Sequence, residues 1–306
     1  MGKLIRFYNQ NVRKVWTIVL IIVFALMIIS AFNSMYKKRS EDRNKEIQSG
    51  EYIQKYHNES ESMVSGGYVP DSVREDFGDL IDSFFSYCKN HEPEKAYGLI
   101  SNDCKQLLYP TEEVFEEQYY KNKFKADKLY SFQSWTASDT YIYLVKIFDN
   151  MLATGSGSSQ EYIQDYVSVV KENGEYKLNI NSYIGRVSIE KKYSKDGLTI
   201  EVLDRYIFMD YGIYSLKIQN NSGSTVLLDS MEETNKTYVV DEDNIKSEAM
   251  LYENTKDDLT IIPNTEKEIQ IKFSDVYQEK NMIEKMVFED VRVDLDMKMK
   301  IEIDIR

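Results

Sequence analysis

The groups in this chain able to carry chemistry are few in kind: two histidines, two cysteines and 51 acidic residues among 306. Zinc-type metal sites need ligands gathered as His or CxxC pairs on one or two elements. His57 lies in a charged stretch, His91 lies in a turn between two expected helices, and Cys88 and Cys104 stand singly, so that pattern is not met. The acidic run Asp241-Glu242-Asp243-Asn244 has the composition of a calcium loop. Lys246, however, stands where that loop needs glycine and Tyr252 where it needs its closing glutamate, so a solvated turn is the better account. The GSGSS run at 155–159 has no lysine after it and is not a phosphate loop. A nucleophile–base triad would require a well-placed histidine, and neither qualifies.

Carboxylate chemistry remains. Asp139, Asp149 and Asp165 lie on or beside expected strands, where Trp135, Tyr141 and Tyr143 would be able to line a cavity. Trp135, Tyr141, Tyr143 and Asp165 therefore form the candidate ligand pocket, with no catalytic residue, metal or cofactor assigned. Asp165, between Ile163 and Val167 on an otherwise apolar strand face, either sits at a solvated sheet end or is desolvated with a raised pKa. A general base needs such a shift, and no basic or metal partner stands at a recognisable spacing, so the expectation is a protein that is not an enzyme.

The elements that would position these residues are legible in outline. Val73, Phe77, Leu80, Ile81, Phe84 and Cys88 recur at helical spacing after Asp71, a candidate N-cap. Pro93 suits the first turn of a second helix, and Thr111 with its acidic followers marks a third. On an antiparallel pairing of the first two helices, Cys104 falls roughly 12 Å beyond the level of Cys88, so both are expected as free buried thiols. From Leu129 the period becomes two, with strands over 129–137, 141–148, 160–171 and 175–181, the last two joined by Asn173-Gly174, a strong two-residue hairpin signal. After Val187 about seven short strands separated by turn residues imply an antiparallel sandwich.

The stretches DSVREDFGDLIDSFFSYCKN, EPEKAYGLIS, YPTEEVFEEQYY, YIYLVKIFDN and YIQDYVSVVKENGEYKLNI, in that order, resemble the NTF2-like (cystatin-like cone) domains of bacterial membrane-anchored proteins. IYSLKIQNNSGSTVLLD and TIIPNTEKEIQIKF resemble immunoglobulin-like sandwich modules of bacterial surface proteins. The expected fold class is thus an α+β NTF2-like domain plus an all-β immunoglobulin-like sandwich on a single N-terminal transmembrane helix. The resemblance implies a role like that of the inner-membrane subunits of conjugative and type IV secretion channels, where such domains serve as assembly modules.

The expected transmembrane segment is Val15–Phe32, eighteen residues without charge, Pro or Gly, which as a helix spans about 27 Å. The organisation expected is a short basic tail (1–14), the span (15–32), a charged stem and linker (33–70), the α+β domain (71–186) and the sandwich (187–306). Residues 1–45 carry a net +7 against a whole-chain charge of −13, leaving −20 on the remainder. An acidic body excludes nucleic-acid binding, and the flanking Lys/Arg suit anionic headgroups. The expectation is a single-pass protein of the cell membrane with an extracytoplasmic body that binds protein partners. A tethered ligand-binding or enzymatic cone and an envelope sensor or stress protein are the alternatives.

Overall fold

The computed structural model describes residues 69–306 apart from 126, 138–139, 151–161, 233–235, 278–281 and 295–296. Helices come first: α1 (Asp71–Lys89), α2 (Pro93–Gly98), α3 (Asn102–Leu108), α4 (Glu112–Phe115), a π-turn (Glu116–Tyr120) and α5 (Lys121–Lys123). Pro70, rather than Asp71, occupies the N-cap of α1 and makes no side-chain cap bond. Pro93 opens α2 at its first turn, where its missing N–H costs nothing. Ser101 and Thr111 cap α3 and α4 by accepting from Cys104 N and Val114 N.

A four-stranded antiparallel sheet follows: β1 (Lys128–Ala137), β2 (Tyr141–Asp149), β3 (Tyr162–Glu172) and β4 (Glu175–Asn179), in that spatial order. The β3–β4 turn is Asn173-Gly174 with φ of 50° and 91°, the left-handed pair a two-residue hairpin requires. One face of this sheet meets the helices. Phe77, Ile81, Phe84 and Phe85 of α1 pack with Phe115 and Tyr119 against Tyr143, Val145, Val167 and Val169.

The second half is built from β5 (Tyr183–Lys195), β6 (Leu198–Phe208), β7 (Gly212–Asn220), β8 (Val226–Leu227), β9 (Thr237–Asp241), β10 (Lys246–Glu248), β11 (Thr260–Ile261), β12 (Thr265–Phe273), β13 (Ile283–Val293) and β14 (Met297–Asp304). One sheet runs β12-β7-β6-β5; the other runs β10-β9-β13-β8-β11, with β14 also pairing β13. Residues of β6 and β7 are buried at every second position along most of each strand. Ile200, Val202, Leu216 and Ile218 meet Val239, Met286, Phe288 and Ile301 of the opposite sheet in a single core.

The expected fold class is overturned. Among the described residues strand accounts for 51% and helix for 22%, and no helix there is long and apolar enough to cross a membrane. Breaks at 90–92, 99–101 and 109–111 cut the tract before β1 into short pieces, whereas period-two segments after Asp127 extend into strands of up to 13 residues. The run at 15–32, the tail, and the stem and linker as far as residue 68 lie outside the described residues. All described residues belong to one compact unit, Glu59–Arg306. The boundary drawn between 186 and 187 falls inside β5, and the helix-side core also takes in Tyr183 and Phe208, with Tyr206, Tyr211 and Ile213 packed against it.

Candidate functional site

Asp165 is the best-placed carboxylate, and its surroundings start with register. Directly opposed residues of paired strands share a face. Val145 opposes Asp165 and Tyr143 opposes Val167, so Asp165 points with them into the helix-facing core. The residue is 0% exposed, so of the two surroundings expected for it the solvated sheet end is ruled out, and it has partners in the core. The Tyr119 hydroxyl donates to Oδ2 at 2.7 Å, Lys123 Nζ donates to the same oxygen at 2.8 Å, and Ser182 N donates to Oδ1 at 3.1 Å.

Each donor has a local cause. Tyr119 lies in the π-turn and stacks on Phe115 at 5.5 Å, and Lys123 follows four residues on, bringing both to one flank. The Lys123 ammonium stands 4.4 Å over the Tyr119 ring and also reaches Asn181 Oδ1 at 3.2 Å. Asn181 and Ser182 both take positive φ, 58° and 63°, in the turn that presents the Ser182 N–H to the carboxylate. Burial, and then the negative Asp165, push the Tyr119 phenol far above its ordinary value, so it stays a donor at any physiological pH. The arrangement is a buried carboxylate neutralised by one ammonium and two neutral donors, which fixes α5, β3 and the 181–182 turn to one another.

The four candidate pocket residues do not share a cavity. Tyr143 is buried beside Phe132, its ring 6.2 Å away, and its hydroxyl has no hydrogen-bond partner among the described residues. Burial pushes that phenol up in spite of the nearby Arg74. Tyr141 packs 4.8 Å from Phe77 on the same face. Trp135 lies on the other face, 5.4 Å from Tyr166, in a small cluster with Ile142, Ile184 and Met209. Asp149 is engaged by Lys128 at 2.6 Å, and Asp139 lies outside the described residues.

Several other buried polar groups have no signature along the chain. Ser101, Ser168 and Asn179 form one network: Ser101 Oγ donates to Asn179 Oδ1, while Asn179 Nδ2 and Ser168 Oγ both donate to Ile184 O, at 2.8 and 2.7 Å. Arg205 pairs with buried Asp275, which also accepts from Tyr214. Arg186 holds Asp204 through Nε at 2.8 Å and Nη2 at 2.9 Å. Asp290 accepts from Ser230 at 2.5 Å and Arg292 at 3.1 Å, with Lys298 at 3.0 Å. Asp204 and Asp275 lie 18 and 70 residues from their arginines, and Ser230 lies 60 from Asp290, so no short motif announces those pairs; Arg292, two residues from Asp290, is the local exception. Cys88 and Cys104 are buried free thiols. Burial pushes both up, Cys104 to about 12. No group of His, Cys, Asp and Glu among the described residues is arranged to hold a metal.

No protein-family model matches the chain, and neither a curated protein nor a solved structure does.

Proposed function

We propose that the chain is a membrane-anchored, extracytoplasmic protein-interaction module with no chemistry of its own. Its tether is the apolar run at 15–32, with the flanking Lys/Arg at anionic headgroups. The observation that carries this reading is the sealed state of Asp165. A general acid or base must touch its substrate, and this carboxylate is fully buried with Lys123, Tyr119 and Ser182 N already bonded to it. The ligand-binding alternative needs its aromatics in one cavity, and Trp135 is on the opposite face of the sheet from Tyr141 and Tyr143.

Surface chemistry supports binding. Ile245 and Met282 flank one turn, since Asp241 N donates to Ile245 O and Glu242 N to Met282 O. Both, with Val276, are more than half exposed. Exposed apolar side chains brought side by side, as Ile245 and Met282 are at this turn, suit a contact surface better than ones scattered singly. The test is photocross-linking of the full chain in its membrane, with a benzoylphenylalanine placed in turn at Ile245, Val276, Met282 and Gln133. Adducts heavier than the chain at one or more positions are expected, and absence of adducts at all four would overturn the interaction role.

A further inference from the structure

Lys123 Nζ lies 2.8 Å from Asp165 Oδ2 and 3.2 Å from Asn181 Oδ1, so one nitrogen touches both a buried carboxylate and a primary amide. An amine, an amide and a group able to carry protons between them are what transamidation requires. Asp165 is closed to substrates from outside, yet it is in direct contact with this pair inside the chain.

The three groups come from distant parts of the chain and are held in place. Asp165 and Asn181 lie 42 and 58 positions from Lys123. Both carboxylate oxygens are fixed, Oδ2 by the Tyr119 hydroxyl and Oδ1 by Ser182 N. Asn181 is set by its turn, with φ of 58° beside 63° at Ser182. Burial pushes the Tyr109 phenol up and a hydrogen bond with the Asn181 side chain opposes that rise, so the amide has a second partner. The hydrogen bond to Oδ1 leaves Nζ one bond away from Cγ, the atom it would attack, and such proximity is itself a large part of catalysis. The Lys123 side chain is 14% exposed and that of Asp165 not at all. In so dry a site a proton passes from ammonium to carboxylate at less cost than in water, because the transfer removes two charges. Asn181 is exposed, which gives departing ammonia a way out.

We propose that Lys123 and Asn181 become joined by an amide bond formed within the folded chain, with Asp165 as the proton carrier. Asp165 takes a proton from the Lys123 ammonium and frees the lone pair on Nζ. That pair attacks Asn181 Cγ, and the carbonyl π pair moves onto Oδ1. When it returns, the Cγ–Nδ2 bond breaks. The leaving nitrogen takes the proton held by Asp165 and the second one shed by Nζ. One ammonium and one primary amide thus give one secondary amide and one ammonium ion, and Asp165 is again a carboxylate. No oxidant or outside reagent enters. The step is slow beside folding, because only the deprotonated amine attacks; newly folded chain holds the ion pair and the linked form accumulates. It happens once per chain and takes no substrate from outside, so it stands apart from the interaction role proposed above.

The experiment follows the intact mass of the full chain, purified in detergent and sampled during incubation at neutral pH. The parent is expected to lose the mass of one ammonia with time. Its tryptic digest should yield a branched peptide, uncut at Lys123 and joined to the peptide that holds Asn181. Lys123→Arg and Asn181→Gly are expected to stay at the sequence mass; glycine accepts the positive φ at 181, so the second variant keeps the turn. Asp165→Asn is expected to slow the loss at least about tenfold. A parent that stays at the sequence mass overturns the proposal. So does ammonia loss without the branched peptide, or loss that persists in Lys123→Arg, which would mark ring closure of Asn181 onto Ser182 N. Loss at the parental rate in Asp165→Asn would overturn the part given to the carboxylate.

Discussion

At the scale of single residues, burial together with partners decides what a side chain does. Asp165→Asn removes the charge that Lys123 neutralises and leaves a largely buried ammonium with neutral acceptors only. It is expected to destabilise the fold by about 2–4 kcal/mol in urea unfolding, while a joint Asp165→Leu, Lys123→Met replacement recovers much of that loss. A stability gain in Asp165→Asn would mean that the carboxylate is held against its preference and would reopen a catalytic role. The thiols give a second outcome: Cys88 and Cys104 should not react with an aromatic disulfide reagent at pH 8 until denaturant is added, because burial pushes both pKa values up. Asp290 gives a pH dependence. Burial works to raise its pKa, but hydrogen bonds from Ser230, Lys298 and Arg292 prevail and hold it at about 2. A carboxyl depressed on folding stabilises above its unfolded value near ~4 and loses that contribution as pH falls towards the folded value. Wild type should therefore lose roughly 1–2 kcal/mol more than Asp290→Asn between pH 5 and pH 2, a figure discounted for the exposed Lys298.

At the scale of elements, turn chemistry sets the register of the strands. The β5–β6 turn is Asp196-Gly197 with φ of 50° and 85°, the same left-handed pair as Asn173-Gly174. Gly197 has a second reason to be glycine: a Cβ there would lie 2.9 Å from Ser222 N. Gly197→Ala is expected to cost more than about 1 kcal/mol by thermal unfolding, and more than Gly174→Ala, whose Cβ meets nothing within 4 Å. Equal losses would show that backbone conformation alone sets the cost. The π-turn at Glu116–Tyr120 is the other element with a consequence, because both Tyr119 and Lys123 reach Asp165 from that short tract.

At the scale of the whole molecule, the helix-side core does not end where the helices and first sheet end. Phe208 stacks on Tyr211 at 4.4 Å and lies 5.2 Å from Tyr183, and the backbone joins the halves again where Met209 N donates to Ser182 O at 3.0 Å. A fragment of residues 71–186 would leave Tyr183 and the surrounding core without Phe208, Tyr206 and Ile213. The expected result is one cooperative unfolding transition for residues 69–306, and a 71–186 fragment that lacks a sharp transition. Two separate transitions, each reproduced by its own fragment, would restore independent domains on either side of residue 186.

What the sequence determined by itself is what depends on neighbours in the chain. The helical repeat of Val73–Cys88, the starts at Pro93 and Thr111, the Asn173-Gly174 hairpin and the period-two segments after Leu129 follow from local propensity and face periodicity, and each is found at its place. What only the tertiary structure decided is everything that pairs residues far apart. Lys123 meets Asp165 across 42 positions, Trp135 falls on the opposite sheet face from Tyr143, and β5 carries the chain through the boundary that a change of period had suggested. The physical reason is that a side chain's face is set by the alternation of its own strand, which is local. The group waiting on that face is set by which strands and helices pack together, and no spacing along the chain encodes that.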